Sequence, residues 1–126
     1  MVIMDILSIE MERKWFIMRI DRRLAAVSDA LLRGQPTADI GADHALLSIY
    51  IIEKGIVPKV IIGELNAGPF TKANNAVASK NLTDKIEVRQ GSGLQILGKA
   101  EVGNIIIAGM GGETIVDILA FDWDKA

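Results

Sequence analysis

The chain has 126 residues, a formal net charge of −2, no cysteine and one histidine. That length suits one domain with a core of its own, and 50% hydrophobic with 24% charged residues is the balance of a soluble fold. Without cysteine, disulfides and thiolate catalysis are excluded and a structural zinc site lacks ligands, so a reducing cytoplasm is expected; the small negative charge means that any basic face for a nucleic acid must be local.

Residues 1–18 mix Glu10, Glu12, Arg13 and Lys14 with Ile6, Leu7, Trp15 and Phe16 without a clean period. The stretch lacks the basic start of a secretory signal, and nothing in the chain approaches the roughly 18 uninterrupted apolar residues of a membrane span, so no membrane partner is expected. Residues 1–18 read as an N-terminal extension, either a short helix or a strand, and its plainest reading is a segment that docks loosely or is disordered. The domain proper, 19–126, begins with a helix, because Ile20, Leu24, Val27 and Leu31 recur at helical spacing. Asp21 suits its first turn and Gly34 a left-handed residue beyond its end. Arg22, Arg23 and Arg33 project off the apolar face, where solvation competes with a role in phosphate contact.

Thr37-Ala38-Asp39-Ile40 then reads as a short buried strand, followed by the turn Gly41-Ala42-Asp43 and a helix from His44 to Lys54 that is apolar nearly all round. Lys59 to Glu64 is a second strand, β-branched throughout, as a parallel strand covered on both faces requires. Gly68-Pro69-Phe70 opens the next helix, with Pro69 at its first position, Phe70, Ala73 and Val77 inward, and Asn81 as its end cap. Ile86-Glu87-Val88 is a third strand at a sheet edge, and Gln90-Gly91-Ser92-Gly93 leads to a short helix containing Leu94, Ile96 and Leu97. Asn104 to Ala108 is the most apolar strand and should be central; Gly109-Met110-Gly111-Gly112 and a last helix with Ile115, Ile118 and Leu119 follow. One helix and then β-α four times over gives an α/β fold with a Rossmann-like parallel sheet.

In a parallel sheet the four strand-to-helix turns fall on one edge, where a nucleotide-like ligand sits. A pyrophosphate needs glycines and a bare helix N-terminus, whereas Asp39 and Asp43 repel phosphate and favour a ligand with a cationic end. S-adenosylmethionine, with its sulfonium and ammonium groups, meets that requirement. Asp39 or Asp43 would face the ammonium, directly or through water, with Gly41 allowing close backbone approach. Glu64 would take the ribose hydroxyls and the Ser92 turn would lie against adenine. A nicotinamide cofactor is disfavoured, because Gly41-Ala42-Asp43-His44 lacks the second and third glycines of the dinucleotide fingerprint. Asp43 also suits a plain helix cap, and Gly109 to Gly112 a plain tight turn.

From about Ile20 to Leu119 the chain resembles the bacterial tRNA (adenine-22, N1-position) methyltransferases, which are class I S-adenosylmethionine-dependent enzymes. Arg22-Arg23-Leu24, Asp39-Ile40-Gly41-Ala42-Asp43-His44-Ala45, Gly63-Glu64-Leu65-Asn66-Ala67-Gly68-Pro69, Val88-Arg89-Gln90-Gly91-Ser92-Gly93-Leu94 and Ile107-Ala108-Gly109-Met110-Gly111-Gly112 carry the resemblance. It implies methyl transfer to N1 of a tRNA adenine, with tRNA as the partner. Asp39, Gly41, Glu64, Leu65, Gly91, Ser92, Gly93 and Gly109 would bind cofactor. Asp43, aided by His44, would serve catalysis, and Arg22, Arg23, Met110, Gly111 and Gly112 would meet the substrate. The target adenine must be unpaired or flipped out, since N1 is used in pairing.

Three departures from that family stand out. Ser92 replaces an acid expected to hold the adenine amino group, which implies weaker cofactor binding. Ser48 replaces a proline after Leu47, from which little is expected. Only the first four strands of the class I sheet are present, and strands five to seven and a helical C-terminal domain are absent. The alternative function is therefore a truncated, catalytically inactive cofactor-binding module, or a fragment of such an enzyme. In the class I order, strand four lies between strands one and five, so Ile105-Ile106-Ile107 would be left as an open edge. Pairing with another copy, cover by the N-terminal extension, or continuation into a longer protein would close it.

Overall fold

The computed structural model describes residues 2–6, 25–41 and 45–108. In chain order the elements are strand β1 (Val2–Ile6), helical residues 25–30 (α1), β2 (Thr37–Ile40), α2 (Leu46–Glu53), β3 (Val60–Glu64), α3 (Ala67–Ser79), β4 (Ile86–Gln90), a 3-10 turn (Gly93–Ile96) and β5 (Asn104–Ala108). All strand pairs are parallel, in the order β1-β5-β2-β3-β4.

The period-2 alternation of the strands explains why both faces of this sheet are covered. Val60, Ile62 and Ile106 point to one side, where they pack with Val27 and Leu31 from the α1 region, Leu47, Ile49, Ile51 and Ile52 of α2, and Ala73 and Val77 of α3. Ala38, Ile40, Ile61, Ile105 and Ile107 point to the other, against Leu94 and Leu97 around the 3-10 turn. Strand β5 is paired on both sides and its three isoleucines are fully buried, as their composition requires; β4 is an edge. The α2 helix is buried on more than one side, and Gly34 has the left-handed φ expected of it, 76°.

Three expectations change. The extension is neither loosely docked nor disordered over Val2–Ile6, because that segment pairs with β5 along its whole length, Val2 opposite Asn104 and Ile6 opposite Ala108. Among the three ways of closing the β5 edge, the structure takes cover by the N-terminal segment, and the sheet has five strands rather than four. Helix α3 starts at Ala67, with Asn66 in the capping position, so Pro69 is its third residue rather than its first. A missing N–H costs nothing there either, since the first intrahelical donor to reach back a full turn is Phe70, to the Asn66 carbonyl at 3.1 Å. Helix α2 starts at Leu46, two residues later than expected. Ile20, Leu24 and the last helix, with Ile115, Ile118 and Leu119, lie outside the described residues. No described helix is long and apolar enough to cross a membrane.

One polar residue knits the frame. Asn104, fully buried at the start of β5, accepts from the Leu32 N–H (2.9 Å) and donates to the Leu32 carbonyl (3.0 Å) and to Thr37 Oγ1 (3.1 Å). A buried amide with its groups paired in this way fixes the path from α1 into β2.

Candidate functional site

The carboxyl ends of β2, β3 and β4 are tied to one another by backbone bonds beyond the ladders. The Gly41 N–H donates to the Gly63 carbonyl (2.8 Å) and the Gly91 N–H to the Glu64 carbonyl (2.9 Å). Asp39, Gly41, Glu64, Gly91, Ser92 and Gly93 therefore stand along one edge, as the parallel topology demands. Gly41 leaves β2 at φ 71°, a conformation that side chains resist. The turn closes on Ala45, which is buried and also left-handed at φ 58°. Ala45 occupies the capping position of α2 and offers no side-chain cap; Asp43, the cap the sequence suggests, lies outside the described residues.

Two acids face the α2 side of the sheet here. Asp39 is the third of the four β2 residues and lies beside Ile62 on β3 and Ile106 on β5. Glu64, two residues beyond Ile62, ends β3. Both are buried, Asp39 to 1% exposure and Glu64 to 6%. Asp39 thus belongs to the core beneath the turn rather than to the turn itself. Burial raises its pKa to about 6, against a smaller lowering by one hydrogen bond. That bond comes from Ser48 on α2, whose hydroxyl donates to Asp39 Oδ2 at 2.8 Å. Asp39 Oδ1 is buried with no hydrogen-bond partner among the described residues. Little is expected of Ser48 from the sequence; among the described residues it is the one donor to this buried carboxyl group. The signal was present in the sequence, since Ser48 is the lone small polar residue within Leu46-Leu47-Ser48-Ile49-Tyr50-Ile51-Ile52, and a buried hydroxyl needs a partner.

The floor between β3 and β4 is apolar. A Cβ on Gly63 would come within 2.5 Å of Ile96 Cδ1, and one on Gly91 within 2.6 Å of Ile96 Cγ2. These two glycines let the 3-10 turn seat Ile96 against the strand ends. Arg89 holds that turn in place, donating from Nη1 to the Ile96 carbonyl and bidentately to Glu101, each bond 2.8 Å long. Arg89 also pairs with Glu87, and Glu101 accepts from the Gly98 N–H at 2.8 Å. The Arg89 hydrogen bonds hold the Glu101 carboxyl at about 2 and push the Arg89 pKa up. Spacing gave no hint of this clamp, because its members are brought together only by the turn after β4.

Ser92 and Leu65 are exposed at the edge, Leu65 to 61%, while Gly91 and Gly93 are half-buried. Arg33 is exposed. Arg22, Arg23, Asp43, His44, Gly109, Met110, Gly111 and Gly112 lie outside the described residues. A cleft of about 430 Å³ lined by Gly34, Ile52, Gly55 and Pro58, and one of about 280 Å³ lined by Lys59, Thr83, Asp84 and Lys85, open at the opposite edge, where the strands begin.

A buried acid near the end of β2, glycines at the strand ends, a second acid closing β3 and an apolar floor beside β4 thus stand along one edge of the sheet. Known proteins carry the same arrangement of chain. Over 108 residues, 86% of this chain and 45% of the relative, it is 40% identical to the tRNA (adenine(22)-N(1))-methyltransferase of Bacillus subtilis. The crystal structure of the B. subtilis m1A22 tRNA methyltransferase TrmK superposes with a TM-score of 0.79 at 41% identity, covering 82% of this chain and 44% of that one. A Streptococcus pneumoniae protein described as a putative tRNA (m1A22) methyltransferase, solved in complex with S-adenosyl-L-methionine, gives 0.78 at 37% identity, with 82% and 49% covered. The chain thus spans under half the length of these relatives. Residues 20–126 match the methyltransferase domain family, which takes in all but the N-terminal segment, and it is to this family that the chain belongs.

Proposed function

We propose that the chain binds S-adenosylmethionine at the carboxyl edge of its sheet and serves methyl transfer to N1 of an adenine in tRNA. The observation that carries this reading is the Asp39 carboxyl group: buried, with Oδ1 unpaired among the described residues, and one strand away from Glu64. A cationic ligand group near Asp39 favours its ionised form, and Glu64 is placed at the strand end from which an acid takes ribose hydroxyls. Gly63, Gly91 and Ile96 give adenine an apolar surface. When bound, S-adenosylmethionine supplies an electrophilic methyl group to the adenine N1 lone pair, the carbon–sulfur bond breaking with its electron pair left on sulfur. The chain's own part is alignment. Asp43, with His44, is assigned to stabilise the cationic product or take its N6 proton, and Arg22, Arg23, Met110, Gly111 and Gly112 to meet the tRNA. A cytoplasmic setting follows from that substrate.

A second reading, a cofactor-binding module without activity, is favoured by Ser92, exposed at the edge where an acid is expected to hold the adenine amino group. Calorimetric titration with S-adenosylmethionine, with NAD as control, tests the site. Binding of S-adenosylmethionine alone is expected, and Asp39→Ala or Glu64→Ala should weaken it by about tenfold or more. Binding of NAD, or no binding of either, would reject the site. Methyl transfer to unmodified tRNA then separates an enzyme from a module.

A further inference from the structure

We propose that Ser48 is a positioning residue for this cofactor site, holding Asp39 ionised and oriented; the inference rests on the cofactor reading above. The Ser48 hydroxyl is fully buried and donates to Asp39 Oδ2 at 2.8 Å across nine residues of sequence. It sits in the first turn of α2, and Asp39 sits just before the end of β2. The bond therefore joins the strand before Gly41 to the helix after Ala45. With Oδ2 engaged, the carboxyl group is restrained, and Oδ1, without a partner among the described residues, is the acceptor offered to a cation.

The surroundings leave Ser48 little competition. Beside Asp39, β3 presents Ile62 and β5 presents Ile106. The charged residue of α2, Glu53, is in its last turn. Glu64, which ends β3, is the other described acid of the strands on this face. Asp43 and His44 follow in the turn, outside the described residues. Removing the hydroxyl leaves both Asp39 oxygens buried without a donor, so the carboxyl group takes a proton more readily and loses its attraction for a cation.

The test uses the full chain, its Ser48→Ala and Ser48→Thr variants and two readouts. One is the titration of the Asp39 carboxyl carbon by NMR without ligand. The other is the S-adenosylmethionine dissociation constant from about pH 5 to about pH 8, a range that spans the Asp39 midpoint. Ser48→Ala should raise the Asp39 midpoint by about one pH unit and weaken binding about tenfold near pH 5, falling to about twofold near pH 7 and less at higher pH, as loss of one bond to a charged group implies. Ser48→Thr should restore both. A folded Ser48→Ala variant with an unmoved Asp39 midpoint overturns the proposal alone, as does a binding loss equal at every pH. A Ser48→Thr variant that leaves both defects in place overturns it too, and this holds even where the alanine variant fails to fold. No binding by the unaltered chain, with the Asp39 midpoint still responding to Ser48→Ala, overturns the cofactor reading and this role with it.

Discussion

Asp39 is the residue at which stability and binding pull in opposite directions. Its folded-state pKa of about 6 lies above the ordinary 3.8, so the folded chain holds this proton more tightly than the unfolded chain. The stability associated with that proton is fully present below about pH 4 and is lost as pH rises through about 6, a difference of at most about 3 kcal/mol. Asp39→Asn removes the titration. Urea unfolding of the unaltered chain should therefore show a fall of about 2 kcal/mol between pH 4.5 and 7.5 that the variant lacks. The variant should also be the more stable protein at the higher pH while binding cofactor less well. An equal pH slope in both proteins would show that Asp39 titrates normally. Asn104 offers the opposite case, a polar residue spent wholly on structure. Asn104→Ala strands the Leu32 groups and Thr37 Oγ1 and should cost about 2–4 kcal/mol in the same measurement, from lost bonds and unmet burial together. A loss below about 1 kcal/mol, the worth of one ordinary bond, would mean that water replaces the amide.

At the scale of elements, β1 is the one whose role was least visible. Residues 2–6 lie outside the family match, which begins at residue 20, yet they run parallel to all five residues of β5. An isoleucine-rich strand with an open edge invites pairing with another chain. Removal of residues 1–6, or Met4→Pro, which deletes a backbone donor within β1, should shift the chain to larger species than the unaltered protein forms, read by light scattering. A variant that forms no larger species at high concentration, with unchanged stability, would show that β5 needs no cover. The other elements were readable because their patterns are local. The β-branched runs at Val60–Glu64 and Asn104–Ala108 and the apolar run through α2 announce themselves. Only their ends moved, by a residue or two, where capping geometry rather than hydrophobicity sets the boundary.

For the molecule as a whole, the alternation of strands and helices determined from sequence alone that the sheet is parallel and that its strand-to-helix turns share one edge. It also determined the acids and glycines on that edge, since these follow from composition at strand ends. The tertiary structure decided what those residues do. Whether Asp39 lies in the turn or in the core depends on how α2 settles on β2, and only that packing brings Ser48 to its carboxyl group. The Arg89–Glu101 clamp and the seat of Ile96 against Gly63 and Gly91 depend on a turn whose path no periodicity encodes. The partner of β5 was likewise beyond reach of pattern. Pairing joins residues about a hundred positions apart, and a strand's sequence states that it needs a neighbour without naming which one.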